Sequence, residues 1–99
     1  MIMILTEQQK KRLRGLGHEL KPVITVGTGG VSDSLLAEFE RSLEHHELMK
    51  VKVSAGDRDE RDTAIRALCE YSSAQLILRV GNIGLLFRKK KKNSKFAAL

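Results

Sequence analysis

Pro22-Val23-Ile24-Thr25-Val26-Gly27-Thr28-Gly29-Gly30-Val31-Ser32 is the stretch that decides the fold. Val23 to Val26 are β-branched, which favours a short strand, expected to be buried. The glycines then interrupt it, and Ser32 is a good N-cap for a helix. That helix carries Leu35, Leu36, Phe39 and Leu43 as its apolar stripe, with Glu38, Glu40, Glu44 and His45 outside it. A strand, a glycine loop and a helix thus follow one another without a gap.

Downstream, Leu48 to Val53 alternates apolar and polar residues, as a half-exposed strand does. Gly56 and Asp57-Arg58-Asp59 make a turn, and a third helix groups Ala64, Ile65, Leu68, Cys69 and Ser72. Gln75–Val80 and Leu85–Arg88 read as strands joined through Gly81-Asn82-Ile83-Gly84, hence a hairpin. Upstream, Thr6 and Gln9 form a capping box. Leu13, Leu16 and Leu20 line the helix it opens, with Lys11, Arg14 and His18 opposite, and Pro22 stops it. The order is α-β-α-β-α-β-β, an α/β domain with a four-stranded mixed sheet. Helices two and three should cover its apolar face, and the first helix part of the other.

Alternation also assigns the strand faces. Met49, Val51 and Val53 fall on one side with Leu76, Leu78 and Val80; Lys50, Lys52 and Arg79 fall on the other. Leu85 and Phe87 are the more apolar pair of the last strand, so Arg88 should join the lysines. Four cations then share one face, which cannot be fully covered because burying unpaired charge is prohibitive.

The chain has 99 residues, 41% of them hydrophobic, enough for one modest core and too many for intrinsic disorder. One domain over 1–88, followed by a flexible basic tail over 89–99, is expected. No apolar run approaches the ~18 residues of a membrane span, and Met1 to Leu5 lacks the basic lead-in of a secretory signal. A single cysteine, Cys69, excludes an internal disulfide framework and points to a cytoplasmic protein. Eighteen lysines and arginines against 12 acidic residues give +6, which favours anionic partners. The charges segregate: 10–21 and the stretch after Arg79 are basic, and 33–47 is acidic. Aromatic content of 4% argues against recognition by base stacking.

The glycine loop is where the chemistry concentrates. Glycines let a bulky ligand approach the backbone, and a following helix start adds amide N–H groups that favour a phosphate. Gly27 and Gly30 have the G-x-x-G spacing of loops that clamp an RNA backbone. The loop lacks the Gly-Lys-Ser/Thr ending of a mononucleotide P-loop and the glycine spacing of a dinucleotide site. His45 and His46 diverge by about 100° on a helix and do not readily share an ion. Asp57, Asp59, Glu60 and Asp62 lack calcium-loop spacing, so neither a metal nor a cofactor is expected. Nor do the residues assemble a nucleophile system or paired carboxylates, so the chain does not read as an enzyme.

Leu20-Lys21-Pro22-Val23, Val26-Gly27-Thr28-Gly29-Gly30-Val31 and His45-His46-Glu47-Leu48-Met49-Lys50-Val51-Lys52-Val53 resemble the YhbY-type CRM domain, over roughly residues 6–88. Asn82 stands where that family often has histidine, and Phe87 where it often has tyrosine. The resemblance implies a fold like the C-terminal domain of bacterial translation initiation factor three. It also implies RNA as partner and association with precursors of the large ribosomal subunit, with the family's loop on Gly27, Thr28, Gly29 and Gly30. The cations expected to contact RNA are Lys11, Arg14, Lys21, Lys50, Lys52, Arg79 and Arg88, in a chain expected to be monomeric. The alternative reading is an adaptor whose lysine-rich tail binds an anionic membrane surface or an acidic protein.

Overall fold

A computed structural model describes residues 4–54 and 56–99. Its elements follow the expected order: α1 (Glu7–Gly17), β1 (Pro22–Val26), α2 (Asp33–His46), β2 (Leu48–Val53), α3 (Arg58–Ser72), β3 (Gln75–Val80) and β4 (Ile83–Phe87). All three helix starts are capped by side chains. Thr6 and Gln9 form the reciprocal box, Ser32 Oγ accepts from Leu35 N–H at 3.1 Å, and Asp57 accepts from Glu60 N–H at 2.9 Å. The acidic 57–62 stretch therefore begins as a cap.

The sheet order is β1-β2-β4-β3. β1 runs parallel to β2, while β4 lies antiparallel to both β2 and β3. β1 was expected to be buried. It is an edge strand instead, with Ile24 and Val26 inward and Val23 and Thr25 exposed. Phe39 and Leu43 of α2 and Ile65 and Leu68 of α3 close one core over Ile24, Val26, Val51 and Leu86. A second, smaller core lies under α1, where Leu13 meets Leu48, Ile77, Leu85 and Phe87. The expected division of the helices between the two faces holds.

The line along which α1 touches the sheet differs from the leucine stripe. Leu13 and Gly17 are buried, whereas Leu16 is 48% exposed and Leu20 lies at the surface. A Cβ on Gly17 would stand 2.5 Å from a Leu85 methyl, so the missing side chain sets how closely α1 approaches.

Two face assignments are also corrected. β4 is a central strand whose Leu85, Leu86 and Phe87 are all buried, so an apolar pair does not mark one face as dry. Leu85 and Phe87 belong to the α1 side, together with Lys50, and Arg88 points the other way, toward α2. In β3 the register slips between Leu76 and Leu78. That irregularity leaves Leu76 beside α3 and turns Leu78 toward Arg14 and Lys50. Arg79 consequently faces α3. The four cations expected on one side are split two and two.

The tail differs as well. Expected to be flexible, it folds back: Phe96 meets Phe87 edge-on at 5.2 Å between ring centroids, and Leu99 packs with Phe96 against the second core. Gln9 Nε2 donates to the Leu99 carbonyl at 3.3 Å.

Candidate nucleic-acid interface

β1, β2 and β3 run the same way, so their C-terminal ends and the β3–β4 turn gather at one end of the sheet. Val53 N–H donates to the Asn82 carbonyl there at 2.8 Å, and the glycine loop leaves β1 at the same end. Gly27, Thr28, Gly29 and Gly30 are all exposed. Gly30 N–H closes a turn onto the Gly27 carbonyl at 3.0 Å, with Gly30 at φ +70°, a conformation that favours glycine. A Cβ at Gly27, Gly29 or Gly30 would meet nothing within 4 Å. The space above the backbone is open on all three.

The N–H groups of Thr28 and Gly29 have no hydrogen-bond partner among the described residues. The helix start behind them contributes less than the sequence suggests, because Ser32 occupies the Leu35 N–H and Asp33 brings a carboxylate to the first turn. The donors left for an anion are therefore the amides of the loop more than those of the helix.

Beside the loop lies the part of the α1 side that α1 leaves uncovered. Register places Lys52 next to Thr25 and Ile83, and Lys50 next to Pro22. Lys52 is exposed and forms no ion pair among the described residues. Lys50 Nζ donates to the carbonyl of His18, the C-cap of α1, at 3.4 Å, where the negative end of the helix favours a cation. Arg14 and His18 join Lys50 around a cleft floored by Leu78, Val80, Ile83 and Leu85. Lys21 is exposed at the start of β1. Arg14, Lys50 and Lys52 thus share the α1 side of the sheet, with the glycine loop at the end of the neighbouring strand and Lys21 at that strand's other end. The i, i+4 spacing of His18 from Arg14 is the sequence signal that places both on one flank of α1.

The other expected cations lie elsewhere. Lys11 borders Arg12, Gln9 and Leu99, toward the start of α1. Arg79 pairs with Asp62 of α3. Arg88 grips Glu40 through both guanidinium nitrogens, reaches Glu44 at 3.0 Å and donates to the Ser72 carbonyl at 3.0 Å. The Arg88 hydrogen bonds hold the Glu40 carboxyl below its usual range despite partial burial, and Glu40 in turn raises Arg88. These two arginines are neutralised inside the fold.

His45 and His46 touch edge-on at 4.7 Å, and burial lowers His46, helped by the charges of His45 and Lys95. Half-buried Cys69 packs against the larger core, where burial and then Glu70 raise its thiol. No group of three metal-ligating side chains occurs among the described residues.

The geometry defines a class first: an α/β domain with an open glycine loop beside a cationic sheet face. Residues 5–88 match the CRS1/YhbY (CRM) domain family, and the chain belongs to that family. It is 42% identical over 93 residues to a Pseudomonas aeruginosa protein named "Probable RNA-binding protein", covering 94% of this chain and 89% of the relative. It is 40% identical over 84 residues to a Haemophilus influenzae protein named "RNA-binding protein", covering 85% of each. The solution structure of a hypothetical Staphylococcus aureus protein superposes with a TM-score of 0.78 at 29% identity, over 93% of this chain and 96% of that one. No described helix is long and apolar enough to cross a membrane.

Proposed function

We propose that the protein binds structured RNA through the glycine loop and the cationic face beside it, and that its target is ribosomal RNA in precursors of the large subunit. The observation that carries the reading is the proximity of the Thr28 and Gly29 amides, unpartnered among the described residues, to the face that carries Lys50, Lys52 and Arg14. Backbone amides hold a phosphodiester oxygen, and the ammonium and guanidinium groups neutralise its neighbours. The floor of the adjoining cleft is aliphatic, so contacts there are insensitive to base identity, and recognition rests on shape and backbone. Relatives named as RNA-binding proteins and membership of the CRM family support the same reading.

Titrating an RNA hairpin at several salt concentrations tests the mechanism. Four to six phosphate contacts give a slope of about −3 to −5 for log K against log salt; a slope near zero contradicts it. Gradient sedimentation of the endogenous protein tests the ribosomal target, with comigration with large-subunit precursors expected.

A further inference from the structure

We propose that the lysine loop at 89–95 is a second, separate RNA-phosphate surface, so that one chain can hold two RNA segments at once. The inference rests on the RNA-binding reading above and extends it to the opposite end of the sheet. Lys89 to Lys92 follow β4, and Lys95 lies close behind.

This loop is built around a buried carboxylate. Glu47, fully buried and at φ +65°, accepts from Lys90 N–H at 2.9 Å, from Lys95 N–H at 2.8 Å and from the Ser94 hydroxyl. Its own carbonyl receives Arg88 N–H at 2.9 Å. The backbone of the lysine run is thereby held in place, while Lys91, Lys92 and Lys95 stay exposed. None of the five lysines forms an ion pair among the described residues. A run kept only for solubility needs no such anchoring.

The two cationic surfaces are distinct. Glu47 caps the C-terminus of α2 and the glycine loop precedes its N-terminus; 14 residues at about 1.5 Å each place them roughly 20 Å apart. α1 forms a wall between them, because Arg12 and Arg14 stand about 100° to either side of buried Leu13. Arg14 belongs to the cleft with Lys50, and Arg12 to a groove with Lys95 and Phe96. RNA is favoured over a membrane as occupant, since Phe96 and Leu99, the large apolar residues of the tail, pack against the second core.

A bridging assay tests this. One RNA hairpin is immobilised, protein is added, and capture of a second, fluorescent hairpin is read, with sedimentation establishing that the protein is monomeric. The wild-type chain should capture the second hairpin. The variant carrying Lys89→Gln, Lys90→Gln, Lys91→Gln and Lys92→Gln should still bind the immobilised RNA but lose at least about tenfold in capture, and Gly29→Asp, bound more weakly and through the lysine loop alone, should lose capture as well. Arg12→Gln with Lys95→Gln should lower capture in the same sense. Wild-type binding to the first hairpin without capture of the second overturns the inference alone, as does full capture by the four-lysine variant. Lysine-dependent binding to phosphatidylserine vesicles with bridging unaffected also overturns it. Failure of the wild-type chain to bind any hairpin overturns the RNA-binding reading as well.

Discussion

The two ends of the sheet offer an anion different things. At the glycine-loop end the backbone itself is presented: Thr28 and Gly29 N–H have no partner among the described residues, and open space lies over Gly27, Gly29 and Gly30. At the lysine-loop end Glu47 takes the backbone amides of Lys90 and Lys95, and the exposed side chains of Lys91, Lys92 and Lys95 crowd the surface. Backbone donors are fixed in direction, whereas lysine ammonium groups on flexible stems act as mobile point charges. The first end therefore suits a defined phosphate geometry, and the second suits any dense line of phosphates.

The largest expected effect comes from breaking the anchored end. Glu47→Ala strips the acceptor from two part-buried amides and a hydroxyl, and should cost about 3 kcal/mol in urea denaturation. Hydrogen exchange should then rise across 89–99 while 27–30 is unchanged. Acid should do the same in part. Burial opposes ionisation of Glu47, but its bonds to Ser94, Lys90 and Lys95 prevail and hold it below the usual carboxylate range. A depressed folded value means that its stabilisation is fully present above the unfolded carboxylate value, about 4.3, and fades as pH falls through the lowered one. Tail protection should persist at pH 5 and diminish below about pH 4; Glu47→Gln should remove that dependence.

The next effect separates cations that are free from cations that are spent. Lys50→Ala with Lys52→Ala should weaken hairpin binding by about tenfold and flatten the salt slope by about 1 to 2. Arg88→Met should leave affinity within about twofold, because that guanidinium is committed to Glu40 and Glu44. Its cost should appear in stability, at about 1 kcal/mol once solvent screening of the partly exposed pair is allowed for.

These contrasts show what local pattern can and cannot convey. The starts of α1 and α2 were legible because Thr6 and Ser32 act within three residues of themselves, and the glycine loop because its features are consecutive; Asp57 caps α3 in the same way, inside a stretch that reads as a turn. The strand order was not, since hydrogen-bonded neighbours β2 and β4 lie far apart in the chain. With β4 central, both faces of Leu85–Phe87 are buried and alternation loses its meaning. The slip at Leu76/Leu78 then reverses what Arg79 faces. Glu47 read as one more member of an acidic stretch; nothing local reveals that residues more than forty positions later fold onto it.

Gly29 offers the cleanest probe of the central claim. An added Cβ there meets nothing within 4 Å, so a new side chain leaves the fold intact. Hairpin affinity and thermal melting of Gly29→Asp, measured side by side with the wild type, set a carboxylate against the proposed phosphate position without disturbing the core. The account predicts at least about a tenfold loss of affinity with unchanged melting, and undiminished affinity would contradict it.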